Sequence, residues 1–249
     1  MNTAHTGSDR GVSAAAKQVI TYWAGRPGRA VIFDFNGTLS DDEPLLLRLY
    51  TEMFRERLGW ALTPQYYYDH LAGLSDREII GAVVAEVGGD RDLTEQLLAE
   101  RGTRYRQMAG RDSPIRDSTV EAVTSLAAAG LPMGIVTGAQ RLDVELVLSN
   151  SPLAGLFQVI VTEEDVANGK PDPAGFRLAA ELMDRRPDAI LVFEDSLPGL
   201  RAARAAGMAC IGVEGTHSAE ELMAETDATV GSIGPELFAD LDAIEAGTT

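Results

Sequence analysis

Six short apolar runs punctuate the chain, and they restrict its fold more than any other feature. They are "AVIFDF" (30–35), "MGIVT" (133–137), "QVIVT" (158–162), "AILVFED" (189–195), "ACIGV" (209–213) and "ATVGS" (228–232). Runs of this length and composition read as strands buried on both faces. Helical patterns separate the last five. Strands alternating with helices predict an α/β fold: a Rossmann-like, doubly wound parallel sheet.

The stretch between the first two runs breaks the alternation. Residues 41–115 hold no strand-like run but four amphipathic segments, "EPLLLRLYTEMFRERL", "TPQYYYDHLA", "DREIIGAVVAEVGG" and "TEQLLAERGTRYRQMA". This is the pattern of an all-helical insertion. Ser75 with Glu78, and Ser118 with Glu121, have capping-box spacing, and Gly130 and Gly207 stand where helices end. Ahead of the first strand, "SAAAKQVITYWAG" reads as a short helix capped by Ser13 and closed by Gly25, and residues 1–12 read as frayed. The expected organisation is an N-terminal extension (1–28), an α/β core (29–40 and 116–249) and a helical cap (41–115).

Composition excludes several classes of function. A net charge of −17 opposes nucleic-acid binding, because a phosphate backbone demands a basic surface. One cysteine, Cys210, leaves no intramolecular disulfide and no thiolate zinc cluster. No apolar segment is long enough to cross a membrane, and residues 1–28 lack the apolar core of a signal peptide. A cytoplasmic protein is expected, acting as a monomer, with a weak homodimer as the alternative. Of 21 basic residues only Lys17 and Lys170 are lysines, so each can be weighed singly.

In an open parallel sheet, ligands bind beyond the carboxyl ends of the strands. The first strand ends in Asp34, followed by Asn36, Gly37 and Thr38. The second ends in Thr137 and Gly138. Lys170 follows the third, in "NGKPDP", and the fourth ends in Glu194 and Asp195, followed by Ser196. Asp34 can be a nucleophile, a metal ligand, or both through its two oxygens. Asp195, with Glu194, offers the hard oxygen donors that Mg²⁺ prefers. Thr137 and Lys170 can hold the non-reacting oxygens of a phosphoryl group. Gly37 permits a sharp turn that aims amides near Thr38 at the same anion.

The motifs "DFNGTL", "VTG", "GKPDP" and "VFEDS" resemble, in order and in strand context, the four motifs of the haloacid dehalogenase-like superfamily. The helical insertion after "DFNGTLSDDEP" resembles the C1 cap of its subfamily I, which includes small-metabolite phosphatases and β-phosphoglucomutase. The resemblance runs from residue 30 to about residue 245. It implies a phosphohydrolase of a phosphorylated small molecule, with Asp34 forming an aspartyl-phosphate. Mg²⁺ would be held by Asp34, the backbone carbonyl of Asn36 and Asp195, with Glu194 nearby. Thr137 and Lys170 would grip the phosphoryl group, with Thr38 and Gly138 beside it. In the cap, Gly73 and Leu74 resemble the substrate-specificity loop, and Arg77 could reach substrate.

The resemblance breaks at Asn36. Family phosphatases have an aspartate there, which protonates the leaving group and then deprotonates water. An amide cannot shuttle a proton, and such catalysis is worth about 10²–10⁴-fold. Four readings remain. The first is a phosphohydrolase whose leaving group needs little protonation, such as an acyl phosphate, or one that borrows a proton from substrate, water, Asp41, Asp42, Glu43 or His70. The second is a weakened relative that binds a phosphorylated metabolite without turnover. The third is an engineered Asp→Asn variant of an active phosphatase. The fourth is other chemistry on the same fold. For that last, the "ED" pair counts against a metal-free dehalogenase, a cap without lysine excludes a Schiff-base phosphonatase, and "AGLSDRE" lacks the basic residues of a mutase cap loop. Tyr66, Tyr67 and Tyr68 read as packing within the cap, His217 as a loop residue, and Cys210 as a small buried hydrophobe. Ser196 and Asn168 are weaker candidates for the site.

Overall fold

All six runs enter one parallel sheet in the computed structural model, which describes residues 12–110 and 113–239. The strands are β1 (Ala30–Phe33), β2 (Met133–Val136), β3 (Val159–Val161), β4 (Ile190–Glu194), β5 (Ala209–Val213) and β6 (Thr229–Val230). Their order is β3-β2-β1-β4-β5-β6, and every neighbouring pair is parallel. The chain thus builds one half of the sheet from β1 outward, then crosses back to pair β4 on the other side of β1. That switch point is where a crevice opens at the strand ends.

Side-chain alternation accounts for burial on both faces. Ala30 and Ile32 of β1 pack into one core cluster, and Val31 and Phe33 into the other. The first cluster is closed by α8 (Ala174–Leu182) and α9 (Leu197–Ala205) through Phe176, Ala179 and Leu200. The second takes α1 (Ala14–Ala24), α6 (Asp117–Ala128) and α7 (Arg141–Ser149), with Phe33 stacked on Phe193 at 5.5 Å between ring centroids. Helix α1 belongs to this layer. Ile20 and Trp23 are buried, and the Trp23 indole donates to the carbonyls of Ala30 and Ala189, each at 3.0 Å. Burial of a side chain such as Ile20 stabilises by about 1.5–3 kcal/mol. One face of α1, made of Ala16, Ile20, Trp23 and Ala24, is therefore part of the core packing, whereas the expected fraying falls almost wholly on residues 1–11, outside the described ones.

Four helices lie between β1 and α6: α2 (Glu43–Leu58), α3 (Pro64–His70), α4 (Asp76–Glu86) and α5 (Arg91–Ala109). Ser75 and Glu78 form the expected capping box at the start of α4. The second expected box does not form. Helix α6 begins at Asp117 with Arg116 in the cap position, so Ser118 and Glu121 lie inside the helix. Helix α5 starts three residues ahead of "TEQ", because the Asp90 side chain accepts from the Leu93 amide at 3.0 Å and caps it there. Strands β1–β4 and β6 stop one or two residues short of the apolar runs. At those ends the chain leaves the ladder and turns its polar residues onto the rim: the Asp34 amide still donates to Phe193 O at 2.9 Å, and Gly37 then turns with φ +76°.

A buried ionic clamp ties the inserted helices to the sheet domain. Arg101 of α5 lies between Asp76 of α4, at 3.0 Å, and Asp143 of α7, and Arg106 reaches Asp143 at 2.8 Å. Among the described residues no helix is long and apolar enough to cross a membrane.

Candidate active site

Four charged side chains converge where β1 and β4 end. The Lys170 ammonium donates to Asp34 Oδ1 and, at 2.6 Å, to Glu194 Oε2. The other oxygen of Glu194 accepts from the amide of Ser196 at 3.0 Å and from its hydroxyl at 2.6 Å. Asp195 accepts from the hydroxyls of Thr38, at 3.0 Å, and Thr216, and the His217 ring meets its carbonyl at 3.2 Å. Two glycines make room for this crowding. A Cβ on Gly37 would overlap the Asp195 carboxylate, and one on Gly199 would overlap that of Glu194.

The inserted helices roof this rim and leave a narrow chamber of about 30 Å³. Its floor comprises Asp34, Asn36, Thr137, Gly138, Lys170, Glu194 and Asp195. Its roof is Glu43, Leu46, Tyr50, Tyr67, Leu74, Asp76 and Ile79. Roof and floor touch at Gly73 and Gly138. A Cβ on Gly73, where φ is +85°, would stand 2.5 Å from Ser196 Cβ, and one on Gly138 would stand 3.0 Å from Ser75 Cα. The approach at Gly73 and its positive φ demand glycine there, and at Gly138 a Cβ would fit only if the Ser75 backbone gave way by a few tenths of an ångström.

Charge inside the chamber is unbalanced. Burial, the Glu194 carboxylate and, more weakly, Asp195 push the Asp34 carboxyl well above the usual range, against the pull of Lys170. Burial and Glu194 raise Asp195 likewise. Burial works against the Lys170 charge, but Asp34 and Glu194 override it and hold the ammonium protonated. With all three carboxyls ionised, one ammonium would leave two negative charges, and burial resists that state. Oxygens of Asp34, Glu194 and Asp195 lie within 4.8 Å of one another, a hard donor set that fits a divalent cation of the Mg²⁺ type.

The Thr137 hydroxyl accepts from the Ala139 amide at 3.0 Å, which frees its own proton for a ligand in the chamber. The Asn36 side chain is committed elsewhere: its amide donates to Asp42 Oδ2 at 2.8 Å, and the Tyr105 hydroxyl donates to the same oxygen.

The model of the haloacid dehalogenase-like hydrolases matches residues 31–213. The chain belongs to that family. It is 30% identical over 200 residues to the validoxylamine A 7'-phosphate phosphatase of Streptomyces hygroscopicus subsp. limoneus, covering 80% of this chain and 91% of that one. The structure of CbbY from Rhodobacter sphaeroides in complex with phosphate superposes with a TM-score of 0.72 at 30% identity, over 86% of this chain and 99% of that one. The β-phosphoglucomutase of Clostridium difficile, 17% identical with a TM-score of 0.75 over 88% of this chain and 98% of that one, shares the fold.

In this haloacid dehalogenase-like hydrolase, several residues singled out in the sequence lie away from the chamber. Thr38 holds Asp195 with its hydroxyl, and its amide bonds to Phe35 O at 3.3 Å within the turn, so the amides there do not face an anion. Arg77 is exposed and turned onto Glu95, at 2.5 Å, because that carboxylate of α5 lies within its reach. His70 is exposed against Tyr66, and Asp41 pairs with Arg116. Sequence reasoning missed Thr216 and the chamber role of Asp76. Tyr67 packs within the inserted helices as expected, in contact with Tyr50 and Tyr68, and it lines the chamber as well. The small residues "SLPG" after "VFED" were the available signal for the Glu194–Ser196–Gly199 arrangement.

Proposed function

We propose that this hydrolase is a Mg²⁺-dependent phosphatase that transfers the phosphoryl group of a small metabolite to Asp34 and then to water. The observation that carries the reading is the buried Lys170 ammonium joining Asp34 to Glu194 inside a three-carboxylate cluster. Asp34, the Asn36 carbonyl and Asp195 would hold the cation, and Glu194, with both oxygens engaged, orients Lys170 and the Ser196 turn. The cation supplies charge neutralisation at the phosphoryl oxygens. Asp34 attacks phosphorus in line with the leaving oxygen. Lys170 and the Thr137 hydroxyl take up charge on the non-reacting oxygens. The inserted helices act as a cap: a chamber of about 30 Å³ holds little more than a water or two, so the roof lifts to admit substrate and closes to exclude bulk water.

The roof also favours one kind of substrate. Among the described residues Lys170 is the one cation lining the chamber, opposite Glu43, Asp76, Tyr50 and Tyr67. Asp76 Oδ2 is buried without a hydrogen-bond partner, and a buried acceptor left unpaired costs about 1–3 kcal/mol. A hydroxyl or ammonium on the substrate would satisfy it, whereas a second phosphate would meet the Glu43 and Asp76 carboxyls, with the Tyr50 and Tyr67 hydroxyls already engaged by them. The substrate is therefore a monophosphate of a hydroxylated or aminated metabolite. The test is phosphate release from sugar phosphates, bisphosphates, nucleotides and acyl phosphates, with and without Mg²⁺. Mg²⁺-dependent release that favours monophosphates and is lost in Asp34→Asn is expected. Tight binding of the same compounds without turnover would overturn the enzymatic reading.

A further inference from the structure

Asn36 occupies the position from which the family's proton shuttle works, and its amide is spent on Asp42. Of the four side chains weighed as substitutes from the sequence, Asp41 is paired with Arg116 and His70 is exposed against Tyr66. Asp42 lies behind Asn36, held by Tyr105, and does not line the chamber. Glu43 does line it, facing the same space as Asp34 and Asp195. It is the first residue of α2, at the point where the chain passes from β1 into the inserted helices. The Tyr67 hydroxyl donates to Glu43 Oε2 at 2.8 Å, which fixes the carboxyl in the chamber lining.

We propose that Glu43 is the proton donor and acceptor of the reaction, working from the roof in place of a carboxyl at position 36. This rests on the phosphatase reading. In the first step an Asp34 oxygen bonds to phosphorus while the bond from phosphorus to the ester oxygen breaks. The departing alkoxide takes the Glu43 proton and leaves as an alcohol. In the second step water adds to phosphorus and gives a proton to the Glu43 carboxylate. The bond from phosphorus to Asp34 breaks, and its electron pair returns to the Asp34 carboxylate. One water is consumed, an alcohol and hydrogen phosphate are released, and Glu43 ends protonated as it began.

The surroundings suit both halves of the cycle. Burial pushes the Glu43 carboxyl up to about 8, with Asp42 and Asp34 adding to the effect and Tyr67 and Arg101 opposing it. Asp195 and Tyr68 are the other titratable groups coupled to it. A carboxyl protonated near neutral pH can act as an acid and then, once ionised, as a strong base. Since Glu43 travels with α2, closure of the roof also brings the proton to the reacting oxygen.

The test compares leaving groups in full-length protein. Glu43→Gln keeps the shape and removes the proton, so first-turnover cleavage of β-glycerol phosphate should fall about 10²-fold or more. p-Nitrophenolate leaves without protonation, so its first-turnover burst from p-nitrophenyl phosphate should fall less than tenfold. The alkaline limb of the wild-type pH profile should vanish in Glu43→Gln and reappear, shifted, in Glu43→Asp, which also separates chemistry from misfolding. Equal losses on both substrates, no loss on either, or an unchanged alkaline limb would overturn the assignment. Wild-type protein inert toward both probes, with no phosphate on Asp34, would instead sink the phosphatase reading and the assignment with it.

Discussion

The Asn36 amide and the Asp42 carboxylate share a hydrogen bond of 2.8 Å, six residues apart across the turn that leads from β1 into α2. Burial lifts the Asp42 carboxyl to about 6, against the bonds from Tyr105 and Asn36 that favour its ionised form. An amide suits this neighbour because it donates to a carboxylate without adding charge. Asn36→Asp would put two carboxyl groups on one hydrogen bond, and two carboxylates at that distance share a proton. A pair that retains a proton in the folded state has a raised affinity for it there. Its stability is full below the unfolded carboxyl range and is lost as pH rises through the folded value. Asn36→Asp should therefore come closest to wild type in urea melts near pH 4 and fall progressively below it toward pH 8.

Lys170 separates the Asp34 and Glu194 carboxylates and sits 5.5 Å from the centroid of the Phe176 ring. Lys170→Met keeps the apolar stem and removes the ammonium, leaving both carboxylates buried without a counter-charge. Breaking a buried ion pair from one side costs about 3–5 kcal/mol. Denaturation of Lys170→Met without divalent cation should show a loss of that order. Added Mg²⁺ should recover part of it, while phosphate release stays abolished.

The contrast between Asp34 and Thr38 shows what was legible in the sequence. Asp34, Thr137, Lys170 and Asp195 could be found because each follows an apolar run, and strand ends in a parallel sheet share one rim. Thr38 sits in the same motif, yet its direction depends on Asp195, which lies 157 residues away. The direction of Arg77 is set in the same way, since Glu95 holds it from another helix. Helix α2 was legible to the residue from its apolar period. The order of the sheet was not, because no local signal tells the chain to cross back to β1 after β3. The role of Glu43 needed two facts from different helices, the chamber lining and the Tyr67 bond.

Several buried carboxyls share the direction of Asp42. Burial raises Glu43 and Glu163 to about 8 and Asp143 to about 6. Each contributes stability that is present below its unfolded value and lost as pH rises through its folded one. Cation-free protein should therefore unfold at lower urea near pH 9 than near pH 5. Mg²⁺ at a hundredfold excess over its dissociation constant should add about 2.7 kcal/mol, or roughly 5–10 °C in melting temperature for a chain of this size. The gain should be absent in Asp195→Ala.

The Arg101–Asp143 contact gives the roof a latch with a testable consequence. Arg101 is 1% exposed, and its charge is divided between Asp76, which lines the chamber, and Asp143, which belongs to the sheet domain. Asp143→Asn weakens the hold on the sheet side while the bond from Asp76 keeps Arg101 partnered within the inserted helices. The helices should stay folded but detach more often, because the penalty for an unpaired buried charge then applies mainly to the closed arrangement. Hydrogen exchange should speed up several-fold at amides of the Gly73–Asp76 stretch, where roof and floor touch, and stay unchanged in β1 and β4. Substrate affinity should fall before turnover at saturation does, because a latch that fails more often reduces the population of the competent closed state without altering the groups that react.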